Sequence, residues 1–408
     1  MILKFFKNIG PGPLIAAAFI GPGTVTVCTL AGVNFGFALL WAMALSIFAT
    51  VVLQEMAARL GIVSQKGLSE IIREEIKHPV VKILAVILIL SAIVIGNAAY
   101  EAGNISGGAL GMEAIVGNVF WEIGSIKLNV MSLLIGIIAF VLLYIGNYNV
   151  LEKVFVFLVI LMSLAFITTA ILTKPNLVEV FKNIFIPKAP EGSILSVIAL
   201  IGTTVVPYNI FLHASLAKTK WKDNSDLKSA KKDTMIAVVL GGMVSMCIII
   251  AASAIQKQSI TSASDLALGL EPLFGSFAKY FLAIGLFAAG VTSAITAPLA
   301  AAFVTDGCLG WESDLKSKKF KAVWMVIVLL GVVFSSIGFK SIEIIKFAQV
   351  ANGLLLPVIA GFLLWIMNKS SVLGTYKNSK LQNFLGLIIL VVTIFLGLRG
   401  ILSVFEMI

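Results

Sequence analysis

The first apolar segment of the chain is interrupted by Gly21, Pro22 and Gly23, within the stretch Phe-Ile-Gly-Pro-Gly-Thr-Val-Thr at 19–26. Pro22 has no backbone N–H and glycine is a poor helix former, so these residues predict a break in a helix. In a bilayer, backbone groups freed by a break are tolerated only where they are buried in protein or line a cavity. The interruption therefore predicts a binding site at membrane depth, and a proline kink without a ligand is the alternative.

The composition places this segment in a membrane protein. Of the 408 residues, 59% are hydrophobic and only 12% are charged, and the mean hydropathy is +1.06. A soluble domain of this size cannot bury that much apolar surface. The basic residues lie in short loops between apolar runs, so the net charge of +10 does not predict a nucleic-acid partner. The three cysteines lack metal-ligand spacing and are interpreted as packing residues, and we predict no cofactor and no enzymatic activity.

Apolar runs of about 20 residues predict an all-α polytopic fold with about eleven transmembrane helices in one transport domain, 1–408. The predicted spans are 12–34, 37–60, 79–104, 128–146, 150–173, 194–217, 234–255, 276–304, 321–339, 342–367 and 382–404. Segment 67–77 is too short and too charged to span, and it is predicted to be an amphipathic interfacial helix.

The distribution of lysine and arginine predicts how the chain is inserted. If the N-terminus is cytoplasmic, most of the 30 Lys and Arg residues fall in cytoplasmic loops, including the basic loop 218–232. This predicts a plasma-membrane protein with a cytoplasmic N-terminus, an external C-terminus, the lipid bilayer as its main partner, and a monomeric state.

A second break is predicted at Val206-Pro207-Tyr208-Asn209, in span 6. An odd number of spans separates it from the break in span 1, so the two broken helices run in opposite directions. This arrangement is typical of transporters built from inverted repeats. We predict repeat one at 12–173, repeat two at 194–367 and an extra helix at 382–404. The half-helix after Gly23 directs a positive dipole end into the gap, while the preceding half-helices offer carbonyls, so a cation, an anion or a zwitterion can bind.

Distinctive sequence stretches lie at 53–63 with 67–74, 207–216, 290–307 and 349–357. They resemble the NRAMP (natural-resistance-associated macrophage protein) family of proton-coupled divalent metal transporters. The similarity covers nearly the whole chain, and it is most specific at the end of span 2. It implies a LeuT-type fold with five plus five inverted spans and broken helices 1 and 6. It also implies a secondary-active transporter of a divalent metal cation.

The chain departs from the family pattern at the implied metal site. The first-span motif Asp-Pro-Gly-Asn of the family is Gly-Pro-Gly-Thr at 21–24, so the metal-binding carboxylate is absent and the amide ligand becomes Thr24. In span 6 the methionine of the family is Val206, its histidine is Tyr208, and its carbonyl-donating position corresponds to Thr203. These departures predict altered selectivity or altered coupling.

The predicted substrate-binding residues are uncharged. Transition metals prefer carboxylate, imidazole or sulfur ligands, and a bare divalent ion without an anionic partner is costly to bury. Either the ion keeps much of its water, as Mg²⁺ tends to do, or a carboxylate comes from elsewhere. Thr24, Thr203, Asn209 and Gln349 are the candidate metal ligands. The full predicted set is Gly21, Gly23, Thr24, Thr203, Val206, Tyr208, Asn209, Gln349 and Asn352.

Glu101 is the one acid deep in a predicted span, and intramembrane ionisable residues are usually functional. The resemblance implies that Glu101 is the glutamate of the family's proton route, with Asn97 beside it. Both are predicted to take part in ion coupling. The alternative is that Glu101 lies near the outer end of span 3 and is solvated. Because 322–339 lacks the basic residues of that route, protons are only a candidate coupling ion. His213 is predicted to act as a gate or in helix packing.

A small organic solute is the alternative substrate. A glycine-rich break before a half-helix suits a carboxylate, because backbone N–H groups and the helix dipole both favour an anion. An amino acid bound at the span 1 break would need no acid at Gly21. A primary pump is not expected, because the chain contains no G-x-x-x-x-G-K-[ST] loop.

Overall fold

The computed structural model describes residues 20–124, 126–146, 149–256, 260–311, 316–337 and 339–404. These residues form a helical bundle with one small hairpin, and the first part of predicted span 1, 12–19, lies outside them. The helices are α1 Pro22–Phe35, α2 Leu40–Ser64, α3 Leu68–Glu75, α4 Pro79–Val116, α5 Val130–Ile145, α6 Asn149–Leu172, α7 Leu177–Phe185, α8 Ile194–Thr204, α9 Pro207–Lys220, α10 Leu227–Ala252, α11 Ala263–Ala267, α12 Glu271–Phe274, α13 Ala278–Leu309, α14 Lys318–Ser336, α15 Ser341–Met367, α16 Ser370–Leu373 and α17 Lys380–Val404.

The all-α polytopic architecture is confirmed. Among the described residues, eight helical segments are long and apolar enough to cross a membrane, and α8 with α9 count as one of them, Ile194–Lys220. The remaining predicted spans correspond to α1 and α5, which have 14 and 16 residues, and to α6, which counts as a possible ninth span only together with α7. After α6 the chain turns by 117° into the short helix α7. The predicted amphipathic segment at 67–77 is present as α3, which buries Leu68, Ile71 and Ile72.

An antiparallel hairpin, which the sequence analysis did not predict, joins α4 to α5. Its strands are β1 Phe120–Ile123 and β2 Ile126–Asn129, with Phe120 paired to Asn129. Asn129 also caps α5, because its Oδ1 accepts a hydrogen bond of 3.1 Å from Ser132 N. We call the end of the bundle that carries this hairpin the hairpin side, and the end that carries α3 the α3 side.

Helix α4 is 38 residues long and runs from the α3 side to the hairpin side. The predicted end of span 3 at residue 104 is therefore wrong, since the helix continues to Val116. Gly107 packs against Pro22 of α1, and Gly108 lies against Gly290 of α13. Glycines permit this close backbone approach, and the packing outweighs their low helix propensity. Glu101 consequently lies about four turns before the end of α4.

Candidate functional site

The second predicted break is present between α8 and α9. Helix α8 ends at Thr204, Val205 and Val206 adopt non-helical backbone angles, and α9 begins at Pro207. Proline suits this first helical position because its missing N–H would have no partner inside the helix. The break therefore exposes backbone groups in the middle of one 27-residue span.

The half-helix that follows the first predicted break is α1. It begins at Pro22, and Gly21 before it is extended, with φ −93° and ψ 180°. The carbonyl of Gly21 accepts a hydrogen bond of 3.2 Å from Val25 N. The first N–H groups of α1, which have no partner inside the helix, therefore lie where the sequence predicts a binding site.

The two breaks meet in the core of the bundle. The hydroxyl oxygens of Thr24 on α1 and Thr203 on α8 are hydrogen-bonded at 2.8 Å. Gly23 packs against the carboxamide of Gln349 on α15, and Gly202 packs against the backbone carbonyl of the same residue. The absence of side chains at these two glycines allows α1, α8 and α15 to converge.

The side chains around this meeting point are buried but poorly satisfied. Asn209 is 0% exposed, and neither its Nδ2 nor its Oδ1 has a hydrogen-bond partner. Gln349 Oε1, Asn352 Nδ2 and the Tyr208 hydroxyl are also without partners. A buried polar group left unsatisfied costs about 1–3 kcal/mol, and such groups are rare in native proteins. Their concentration at the breaks indicates the position of a polar ligand.

Helix α4 adds a residue that the sequence analysis missed. The ring of Tyr100 packs edge-on against the ring of Tyr208, with centroids 5.4 Å apart and an interplanar angle of 65°. Ser293 of α13 was also missed, and a β-carbon on Gly21 would lie 3.2 Å from its hydroxyl oxygen. The sequence signal for Tyr100 was its place beside Glu101 in a run of small and polar residues.

Glu101 is fully buried, so the alternative that it is solvated at the end of a span is wrong. Its side chain packs against Gly331 of α14, and its Oε2 accepts a long hydrogen bond of 3.5 Å from Asn104 Nδ2. Its Oε1 has no partner. Because its neighbour Tyr100 faces Tyr208 while Glu101 faces α14, the carboxyl group lies beside the candidate ligands and not among them.

The other two residues predicted to act in coupling or gating are held by neighbouring helices. Asn97 Nδ2 donates a hydrogen bond of 2.9 Å to the carbonyl of Ala297 on α13. His213 Nδ1 lies 2.7 Å from Gln54 Oε1 on α2, and its Nε2 lies 3.5 Å from Thr234 Oγ1 on α10. The His213 side chain therefore bridges three helices, one turn beyond Asn209, outside the meeting point of the breaks.

The atoms at the breaks that could coordinate a cation are neutral oxygen atoms. Among the residues that the structure describes, no group of three or more His, Cys, Asp or Glu side chains is placed to hold a metal ion. The oxygens available to a cation here belong to hydroxyl and amide groups, and the amide oxygens of Asn209 and Gln349 and the hydroxyl of Tyr208 are free.

Comparison with known proteins identifies the family. The model described as "Natural resistance-associated macrophage protein-like" matches residues 12–403. The chain belongs to the NRAMP family. This NRAMP-family chain is 28% identical over 411 residues to a "Metal transporter nramp1 homolog" of Dictyostelium discoideum, with 95% of this chain and 74% of the relative covered. It is 25% identical to a "Divalent metal cation transporter MntH" of Staphylococcus haemolyticus, with 99% and 93% covered.

A solved structure shows the same fold. The chain resembles the manganese transporter of Eremococcus coleocola, crystallised with an aromatic bis-isothiourea compound, with a TM-score of 0.76 and 21% sequence identity. The match covers 98% of this NRAMP-family chain and 87% of that chain. The family match over residues 12–403 includes the start of α1 and the break between α8 and α9.

Proposed function

We propose that this NRAMP-family protein is a secondary-active transporter of a divalent metal cation, with selectivity or coupling altered relative to its relatives. The family and the names of the relatives support a metal substrate and do not favour an organic solute. The observation that carries the proposal is the set of unsatisfied amide groups, led by Asn209, where the two breaks meet. In this proposal the nine predicted substrate-binding residues surround the ion.

The neutral site favours a cation that keeps part of its hydration shell. A bare divalent ion would have no anionic partner there, whereas the waters of a hydrated ion can donate to Asn209 Oδ1 and Gln349 Oε1. Hard ions such as Mg²⁺ hold water firmly and accept oxygen ligands. Val206 cannot supply the soft sulfur that favours transition metals. We therefore expect weaker preference for Mn²⁺ over Mg²⁺ than a methionine at this position would give.

The rest of the transport cycle follows the same proposal. Glu101 carries the coupling charge, with Asn97 positioning α4 against α13, and His213 acts as a gate between α9 and its neighbours. Protons are the candidate coupling ion. The two repeats at 12–173 and 194–367 move against each other in a monomer of the plasma membrane, with the N-terminus cytoplasmic and the C-terminus external.

Metal uptake into proteoliposomes tests the proposal directly. The wild type should show saturable uptake of Mg²⁺, Mn²⁺ or Ca²⁺, and Asn209→Ala and Glu101→Gln should each lower it by about tenfold or more, the equivalent of 1.4 kcal/mol. Asn224→Ala removes an exposed amide near α10 and is the matched control. Absence of saturable flux for all three ions, together with absence of calorimetric metal binding, would contradict the proposal.

Restoring a carboxylate at the first break tests which substrate the site accepts. Gly21→Asp points its new side chain toward Ser293 of α13, with only a small shift required. If the site holds a metal cation, the charge-assisted contact should raise metal affinity by about tenfold or more. Gly21→Asn has similar size without the charge and should not. Thermal stabilisation of the wild type by an amino acid, lost in Gly21→Asp, would instead support the organic solute.

A further inference from the structure

A cavity of about 250 Å³ lies on the hairpin side, between the end of α4, the hairpin and the start of α15. Leu110, which is 4% exposed, is part of its lining. Three residues earlier on α4, Gly107 packs against Pro22 at the first break. The cavity is therefore separated from the site at the breaks by about one helical turn of packed residues.

The acidic side chain in this cavity, Glu113, has a hydrogen-bond partner on one of its two carboxylate oxygens. Glu113 Oε1 accepts a hydrogen bond of 2.6 Å from Asn129 Nδ2, and Asn129 is itself fixed as the cap of α5. Glu113 Oε2 has no hydrogen bond among the described residues. The lining also includes the polar side chains of Asn118 and Ser262 and, at the rim, the exposed Lys340.

The size and chemistry of the cavity fit a hydrated cation. Since about 10–15 Å³ of cavity space is enough for one water, the cavity can hold an ion with a full first shell of waters. Carboxylate, amide and hydroxyl oxygens are the ligands that Mg²⁺ and Ca²⁺ prefer. The carboxylate of Glu113 attracts cations into the cleft, and the exposed Lys340 opposes this attraction.

We propose that this cavity is an entry vestibule, in which Glu113 captures a hydrated divalent cation before the ion reaches the breaks. The inference rests on the proposed function as a metal transporter. It gives a reason why a neutral site can still be loaded: the attracting charge lies nearly two helical turns outside the site, where the ion need not lose its water. The lysine distribution predicts that the hairpin side is external, which makes this the entrance for uptake.

Kinetics of metal uptake at low ionic strength test the role of Glu113. Glu113→Gln should raise the KM for Mg²⁺ or Mn²⁺ by about threefold to tenfold and leave the maximal rate unchanged. Lys340→Gln removes the opposing charge and should lower the KM. Added choline chloride should raise the wild-type KM toward that of Glu113→Gln, because salt screens the attraction. Glu271→Gln removes an exposed acid of α12 outside the cavity lining and should change none of these values.

The possible outcomes separate this inference from the proposed function. A wild type without saturable metal flux overturns the proposed function, and the vestibule with it. A wild type with flux whose KM is unchanged in both Glu113→Gln and Lys340→Gln overturns the vestibule alone. Glu113→Gln keeps an oxygen that can accept the hydrogen bond from Asn129 Nδ2. If this variant nevertheless fails to fold, Lys340→Gln still decides, since this exposed side chain can be replaced without disturbing the packing.

Discussion

Two buried polar regions of the bundle differ in how they are satisfied. At the α3 side, Arg59 on α2 donates to the carbonyl of Tyr376 at 2.7 Å and to Asn378 Oδ1 at 2.8 Å, and it pairs with Glu55 at 3.1 Å. At the breaks, both polar atoms of Asn209 lack partners. The α3-side region includes an ion pair and the side chains at the breaks are neutral, and the first region is completed by the protein while the second is left open. The open region is therefore the candidate for a ligand.

The completed region joins distant parts of the chain. Asn378 lies in the connection between α15 and α17, and its Nδ2 donates to Asn383 Oδ1 at 3.0 Å. The backbone N–H of Asn378 also donates to the carbonyl of Met367 at 2.9 Å. Arg59 thus fastens this connection to the end of α2, which indicates a structural role for the α3-side network.

Removal of Arg59 should have the largest effect on stability. Arg59→Ala leaves the carboxylate of Glu55 and the oxygens on the α15–α17 connection without a donor, which should cost about 3 kcal/mol of unfolding free energy. Arg59→Lys keeps the charge but not the planar fork, so it should retain only part of the stability. Thermal unfolding in detergent measures both variants. A wild-type melting temperature for Arg59→Ala would mean that the network is not structural.

Two asparagines provide the sharpest test of the comparison. Asn378→Ala breaks satisfied hydrogen bonds and should lower the unfolding free energy by about 1–2 kcal/mol, with unchanged flux per folded molecule. Asn209→Ala removes two unsatisfied atoms, so stability should be unchanged or slightly higher while metal flux falls. Melting curves and uptake measured on the same preparations separate the two effects. The comparison fails if Asn209→Ala is the less stable variant and transports normally.

The sequence was sufficient to predict the break between α8 and α9 and the start of α1, because proline and glycine act through the local backbone. Pro207 begins α9 and Pro22 begins α1, both at the first helical position that proline favours. The convergence of Gln349 on Gly23 depends on how α15 crosses α1, which no local pattern specifies. The partners of each ligand candidate therefore had to come from the structure.

The misplaced end of span 3 has the same physical cause. Gly107 and Gly108 in the middle of a helix suggest its end when only local propensity is considered. In the bundle these glycines lie against Pro22 and Gly290, and the contacts support the helix as far as Val116. The short predicted span left open the alternative that Glu101 lies near its outer end, whereas Glu101 is buried well within α4. The functional roles assigned to the site residues stay predictions.

The smallest effect is expected at His213, which shares features of both regions. Its ring is fully buried and bridges Gln54 and Thr234, so it belongs with the satisfied groups, although it lies one turn from Asn209. His213→Gln can keep one of these hydrogen bonds and should lower the unfolding free energy by about 1 kcal/mol or less. The KM for metal uptake should not change, because the imidazole does not reach the ion. A gate role predicts a changed maximal rate at constant KM. A raised KM would instead mean that His213 belongs to the open region at the breaks and not to the satisfied groups.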